Sequence, residues 1–202
     1  MLTLGVLLAG GRGTRMGAGT PKALVVCGGR TLLARARATL ETLCDAVVVV
    51  APRELELPVP LEDRVDDPPG ARGPLAAMLA GLASHTFDEA LVLAVDLPLV
   101  TVAALTALRA LRGDALAVMA APGALPQPLA AWYAPRARAL LEAALASGER
   151  SVIAACRTLN PRLVIDDELT AIPEGGGFQW NVNTTEDLAR VERMLAAGHP
   201  LP

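Results

Sequence analysis

Aromatic residues are almost missing from this chain, at 2% of its 202 residues. Hydrophobic residues nevertheless reach 52%, so Ala, Leu and Val must build the core. Charge is also scarce. Charged residues are 19% and the net charge is −3, which excludes nucleic-acid binding by broad phosphate neutralisation. Cysteine is limited to Cys27, Cys44 and Cys156, an odd number with no CxxC pair, which points to reduced, buried thiols and a cytoplasmic protein. Mean hydropathy is +0.42, yet no stretch reads as a membrane span. The longest charge-free run, Ala115 to Pro135, contains Pro122, Pro126, Pro128 and Pro135. Strands and turns suit it better than a spanning helix. The N-terminus lacks the basic region that opens a signal peptide. Lysine is the scarcest cation: of 18 Lys and Arg residues, Lys22 is the one lysine. An Arg-rich bias explains the missing lysines but not the position of the survivor.

A chain of this length forms one domain, or at most two small ones, and can bury about 70% of its unfolded surface. Its pattern alternates strands and helices. Leu4 to Ala9 reads as a buried strand closed by glycines. Thr31 caps a helix with Leu32, Leu33, Ala36, Leu40 and Leu43 along one side. Ala46 to Ala51 holds four consecutive valines, which suit a central strand. Gly73-Pro74 opens a helix toward Ser84, and Ala90 to Val95 is the next strand. Thr101 caps a helix stopped at Gly113, Ala115 to Ala120 and Leu129 to Tyr133 are further strands, and Pro135 starts a helix ending near Gly148. A last helix begins at Thr184, with Asp187 placed for a capping box. The long connection from Pro52 to Pro74 holds a short strand near Val65. Such alternation predicts an α/β fold, Rossmann-like and doubly wound, with a mostly parallel sheet covered by helices on both faces. Ligands bind such sheets beyond the carboxyl ends of the strands, so the residues following each strand are the first candidates.

The first strand runs into Leu8-Ala9-Gly10-Gly11-Arg12-Gly13-Thr14-Arg15-Met16-Gly17. Glycines let backbone N–H groups turn inward and approach phosphate oxygens. Two familiar phosphate motifs fail here. Met16 stands where the dinucleotide pattern GxGxxG needs its last glycine, and Gly17 is followed by Ala18 and Gly19 where a P-loop needs Lys and Ser/Thr. What remains is a loop with Arg12, Arg15 and Lys22 and no acid among them, a local polyphosphate site on an acidic protein. The competing reading is a glycine-rich surface turn with solvated cations.

Asp96 follows the strand that ends at Val95 and precedes Leu97-Pro98. A carboxylate there sits where a ligand lies, and Mg²⁺ takes one or two carboxylates plus phosphate and water. Asp96 is therefore the candidate metal ligand, against the alternative of a turn-forming Asp. Asp66 and Asp67 precede Gly73-Pro74-Leu75-Ala76, and spacing does not choose between them. The helix opening at Gly73 offers free N–H groups and a positive dipole end. Asn181 and Asn183 alternate on an extended segment before a helix, so both amides can face one ligand.

The segment LAGGRGTRMGAGTPKAL resembles the signature of nucleotidyltransferases that activate a phosphate with a nucleoside triphosphate. Three later stretches narrow the resemblance: QPLAAWY from Gln127, SGERSV from Ser147 and WNVNTTEDL from Trp180. In that order they resemble the molybdenum cofactor guanylyltransferase family, from Leu4 to about Met194. The resemblance implies one nucleotidyltransferase domain over 1–202, with the nucleotide half at about 1–100 and the acceptor half at about 101–202. It implies transfer of GMP from GTP to the terminal phosphate of molybdopterin, or molybdenum cofactor, with release of pyrophosphate. Mg²⁺ is the implied metal, held by Asp96. Lys22 and Arg15 would stabilise charge on the triphosphate, and Leu8, Ala9, Gly10, Gly11, Arg12 and Gly13 would cradle it. Asp66 or Asp67 would contact the nucleotide beside Gly73. Asn181 and Asn183 would lie near the metal and the pterin phosphate. Other molybdenum cofactor proteins are implied partners, with no nucleic acid and no membrane. Three positions depart from the family pattern: Thr20-Pro21 before Lys22, Ala51-Pro52 where some members have Asn, and Gln127 where many have His. The first two keep a CTP-dependent cytidylyltransferase as an alternative, and a non-catalytic cofactor-delivery protein is the third reading.

Overall fold

The computed structural model describes residues 1–10, 20–68, 73–172 and 176–198. Seven strands form one sheet in the order β5-β4-β1-β6-β8-β7-β9. They are β1 (Thr3–Leu8), β4 (Ala46–Ala51), β5 (Arg64–Asp66), β6 (Glu89–Ala94), β7 (Ala117–Ala120), β8 (Ala130–Tyr133) and β9 (Arg162–Val164). The remaining two strands, β2 (Val26–Cys27) and β3 (Arg30–Thr31), make a small hairpin. All neighbours in the large sheet are parallel except β8, which is antiparallel to both β6 and β7. No α-helix lies between β7 and β8, and a short connection can only return the chain antiparallel.

Helices cover both faces. On one side lie α1 (Leu32–Leu43), α3 (Val102–Ala110) and α7 (Thr185–Ala196). On the other lie α2 (Pro74–Ala83), α4 (Pro135–Ala146) and α5 (Val152–Arg157). The short α6 (Asp166–Leu169) follows β9. Alternation along the strands feeds the two cores separately. Leu7, Val49, Leu91 and Leu93 join Leu33 and Leu105, whereas Leu4, Val6, Val50 and Val92 join Leu75 and Leu82. The rare aromatics are placed inside: Trp132, Tyr133 and Phe178 are fully buried, Trp132 donating from Nε1 to Leu105 O and Tyr133 from its hydroxyl to Pro128 O.

The caps read from sequence are present. The side chains of Thr31, Thr101 and Thr184 each accept a backbone N–H of the first helical turn. The short strand near Val65 is β5. The hairpin β2–β3, α5, β9 and α6 have no counterpart in the sequence reading. The strands β2, β3 and β9 have two or three residues each, and α5 and α6 are too short for a helical period to show.

Small residues let α2 approach the sheet. A Cβ on Gly81 would stand 2.3 Å from Val6 Cγ1 and 2.9 Å from Val50 Cγ2. Helix propensity alone would favour alanine there by about 1 kcal/mol. Gly81→Ala is nevertheless expected to destabilise the protein by about 1–3 kcal/mol, because overpacking outweighs propensity. Urea unfolding would read the loss, and an unchanged or raised midpoint would refute the packing account.

The chain runs outward from β1 through β4 to β5, then returns to the opposite side of β1 with β6. This reversal opens a crevice at the carboxyl ends of β1 and β6, the place where such sheets take ligands.

Candidate active site

A cleft of about 300 Å³ occupies that crevice, and Leu8, Gly10, Lys22, Asp67, Gly73 and Asp96 all line it. Six expected residues thus meet, although they come from five separate parts of the chain. Leu8 ends β1, and its carbonyl accepts the Val95 N–H at 3.2 Å, tying the ends of β1 and β6 together. The Ala9 N–H donates to Val50 O at 2.9 Å and the side chain is buried, so Ala9 serves the sheet rather than the cleft wall. Gly10 is closely packed: a Cβ there would lie 3.1 Å from Asp67 Oδ2 and 3.2 Å from Pro52 Cδ. Gly11, Arg12, Gly13 and Arg15 lie outside the described residues.

Lys22 begins a 3-10 turn, Lys22–Leu24, whose Ala23 is fully buried. The lysine itself is only 8% exposed, so its charge needs partners. Its Nζ donates to Asp96 Oδ2 at 2.8 Å and to Asn183 Oδ1 at 2.8 Å. Asp96 is fixed from a second direction, because the Val182 N–H donates to its carbonyl at 2.8 Å. Asn183 is fixed by the capping box of α7. Asp187 Oδ2 accepts the N–H groups of Asn183 at 3.0 Å and Thr184 at 2.9 Å, and Thr184 Oγ1 accepts from the Asp187 N–H. Those backbone donors, Asn183 first, hold the Asp187 carboxyl below the ordinary aspartate range. The segment 176–183 lies close on the loop after β6, where a Cβ on Gly177 would stand 2.2 Å from Leu99 O. Among the described residues Asn181 makes no side-chain hydrogen bond and does not line the cleft. The two amides therefore part company, although their spacing put them on one side.

The structure separates the adjacent acids. Asp66 is 44% exposed and turns to Arg64 at 3.5 Å and Arg53 at 3.9 Å. Asp67 lines the cleft, and its Oδ1 is buried with no hydrogen-bond partner among the described residues. Burial, then Glu54 and Asp66, push the Asp67 carboxyl above the ordinary range. A buried acceptor of this kind is incomplete until a donor reaches it. Gly73 opens α2 at φ +103, a conformation that disfavours any other residue, and Pro74 fills the first helical position. Among the described residues no side chain caps that helix, and its N-terminus opens at the cleft.

The later motifs also reach this region. Leu129, from the QPLAAWY stretch, lines the cleft. The turn in SGERSV brings Arg150 O to 3.6 Å from the position of a Cβ on Gly73. Sequence reasoning missed the Val182 N–H and the part played by Asp187 in holding Asn183. The capping-box pattern was the signal for the second; nothing in the residue types marks the first. Among the described residues no cysteine lines the cleft. Burial pushes Cys44 up to about 12 and Cys156 up to about 11, which leaves neither as a thiolate nucleophile.

Asp96 and Asn183 present two oxygens that already share one positive charge, and Mg²⁺ favours a carboxylate and neutral oxygens of this kind. Among the described residues no three His, Cys, Asp or Glu side chains gather to hold a metal, so phosphate oxygens and water would complete the sphere. No helix of the described residues is long and apolar enough to cross a membrane.

Residues 5–161 match the MobA-like NTP transferase domain. The chain is 30% identical over 199 residues to the molybdenum cofactor guanylyltransferase of Desulfosudis oleivorans, covering 96% of each. It is 37% identical over 150 residues to the enzyme of that name from Pseudomonas fluorescens, covering 72% of this chain and 74% of the relative. In structure it resembles molybdopterin-guanine dinucleotide biosynthesis protein A from Archaeoglobus fulgidus, with a TM-score of 0.75, 25% identity, and 96% and 99% of the two chains covered. The fold is shared more widely. The 2-C-methyl-D-erythritol 4-phosphate cytidylyltransferase of Thermus thermophilus matches at a TM-score of 0.65 and 20% identity, covering 95% of this chain and 98% of that one.

Proposed function

Because the chain belongs to the MobA-like NTP transferase domain family, we propose that it transfers GMP from GTP to the terminal phosphate of molybdopterin, releasing pyrophosphate. The observation that carries this reading is the buried Lys22 ammonium held by Asp96 and Asn183 at the switch point of the sheet. Attack of one phosphate on the α-phosphorus of another needs no covalent enzyme intermediate. It needs positioning and neutralisation of charge as pyrophosphate departs. Lys22 supplies a mobile positive charge at the triphosphate. Gly10 and the N-terminus of α2 bring backbone N–H groups toward the nucleotide. Asp67 offers a donor on the base or ribose its Oδ1, which has no partner among the described residues. Asp96 and Asn183 are the residues assigned to Mg²⁺. When bound, Mg²⁺ would supply positive charge against the triphosphate. Arg15 and Arg12 add cations from the glycine loop.

The choice of base is tested by competition. With molybdopterin and Mg²⁺ present, GTP is expected to outcompete CTP in pyrophosphate release. Preference for CTP would move the protein to the cytidylyl reading, for which Pro21 and Ala51-Pro52 argue. Pterin binding without pyrophosphate release from any triphosphate would leave a delivery protein.

A further inference from the structure

Lys22 stands where the metal assignment places a divalent cation. One ammonium is shared by Asp96 Oδ2 and Asn183 Oδ1, at 2.8 Å from each. Both acceptors are anchored from behind, Asp96 through the Val182 N–H and Asn183 through Asp187. The lysine is the adaptable partner: a point charge on a four-carbon stem, rising from a turn at the cleft wall. A divalent ion on the same two oxygens would meet the ammonium at close range, and like charges a few ångströms apart repel strongly in a half-buried site.

We propose that Lys22 is an internal counter-cation that closes the metal site until a polyphosphate draws it away. Lys22 exchanges its carboxylate and amide oxygens for phosphate oxygens, and only then do Asp96 and Asn183 become free for the divalent ion. Nucleotide and metal consequently enter as a unit, and metal does not precede nucleotide. This inference rests on the assignment of Asp96 and Asn183 to the metal. It also keeps the carboxylate paired when the cleft holds no ligand.

A site of one carboxylate and one amide is weak by ligand number alone, so weak binding by the wild type does not discriminate. Removing the ammonium does. Lys22→Met keeps an apolar stem and deletes the charge. Mn²⁺ binding without nucleotide, followed by electron paramagnetic resonance of the free ion, is expected to be at least about tenfold tighter in Lys22→Met than in wild type, from loss of repulsion. Adding Asp96→Asn should abolish the gain. Equal affinity in wild type and Lys22→Met overturns the exchange. If both then lose Mn²⁺ on Asp96→Asn, the metal assignment survives without it. If Asp96→Asn changes nothing in either background, the metal assignment itself fails, and the exchange with it.

The wild type gives a second readout that needs no variant. Lys22 is the only lysine, so ¹⁵N-lysine labelling yields a single side-chain ammonium resonance. That resonance is expected to stay in place with millimolar Mg²⁺ alone and to move with Mg²⁺ plus GTP. A shift that saturates with Mg²⁺ alone overturns the proposal.

Discussion

Replacing Lys22 by alanine is expected to lower nucleotidyl transfer at least about a hundredfold, the usual cost of losing one preorganised charge contact. Pyrophosphate release with GTP and molybdopterin measures it. The lysine is 8% exposed and makes two 2.8 Å hydrogen bonds, so its charge is held at the cleft before any ligand arrives. Lys22→Arg is the sharper form of the test. A planar guanidinium is wider than an ammonium and less able to sit between Asp96 Oδ2 and Asn183 Oδ1. Its activity should fall closer to that of Lys22→Ala than to wild type. Full activity with arginine at this position would show that the lone lysine is an accident of composition.

Asp96→Ala should cost a similar factor, about a hundred- to a thousandfold in rate. The variant removes the carboxylate but leaves the backbone carbonyl that accepts the Val182 N–H, so the loop after β6 keeps its clamp. Loss of activity should therefore exceed loss of stability, which urea unfolding can check on the same protein. Lys22 would retain Asn183 as a partner. Near wild-type turnover by Asp96→Ala would remove Asp96 from the reaction. Collapse of the fold would instead assign it to structure.

Much of the fold was legible because the signals are local. Four valines in a row mark β4, Gly73-Pro74 marks the start of α2, and Thr184 with Asp187 marks α7. Some short elements escaped, since α5 and α6, with six and four residues, carry no readable helical period. The direction of β8 needed its neighbours: a strand pattern is the same whichever way the chain runs. In the site, Lys22 and Asp96 stood out by rarity and by position after a strand. The adjacent acids did not separate, because Asp66 and Asp67 differ only in which side of the end of β5 they face. The amides failed as a pair for a related reason. Spacing assigns a side, but Asn183 alone is locked by Asp187 toward Lys22.

By itself the sequence determined the class of fold, the glycine loop after β1 and the identities of the charged groups. These depend on residue type and short spacing. Tertiary structure decided the rest: that residues 74 and 161 positions apart meet on one ammonium, that Asp67 rather than Asp66 lines the cleft, and that Val182 holds Asp96. Such contacts arise from strand order and from α7 packing back across the sheet. No local pattern carries that information, because the free energy that selects those contacts comes from burying both faces of the sheet at once.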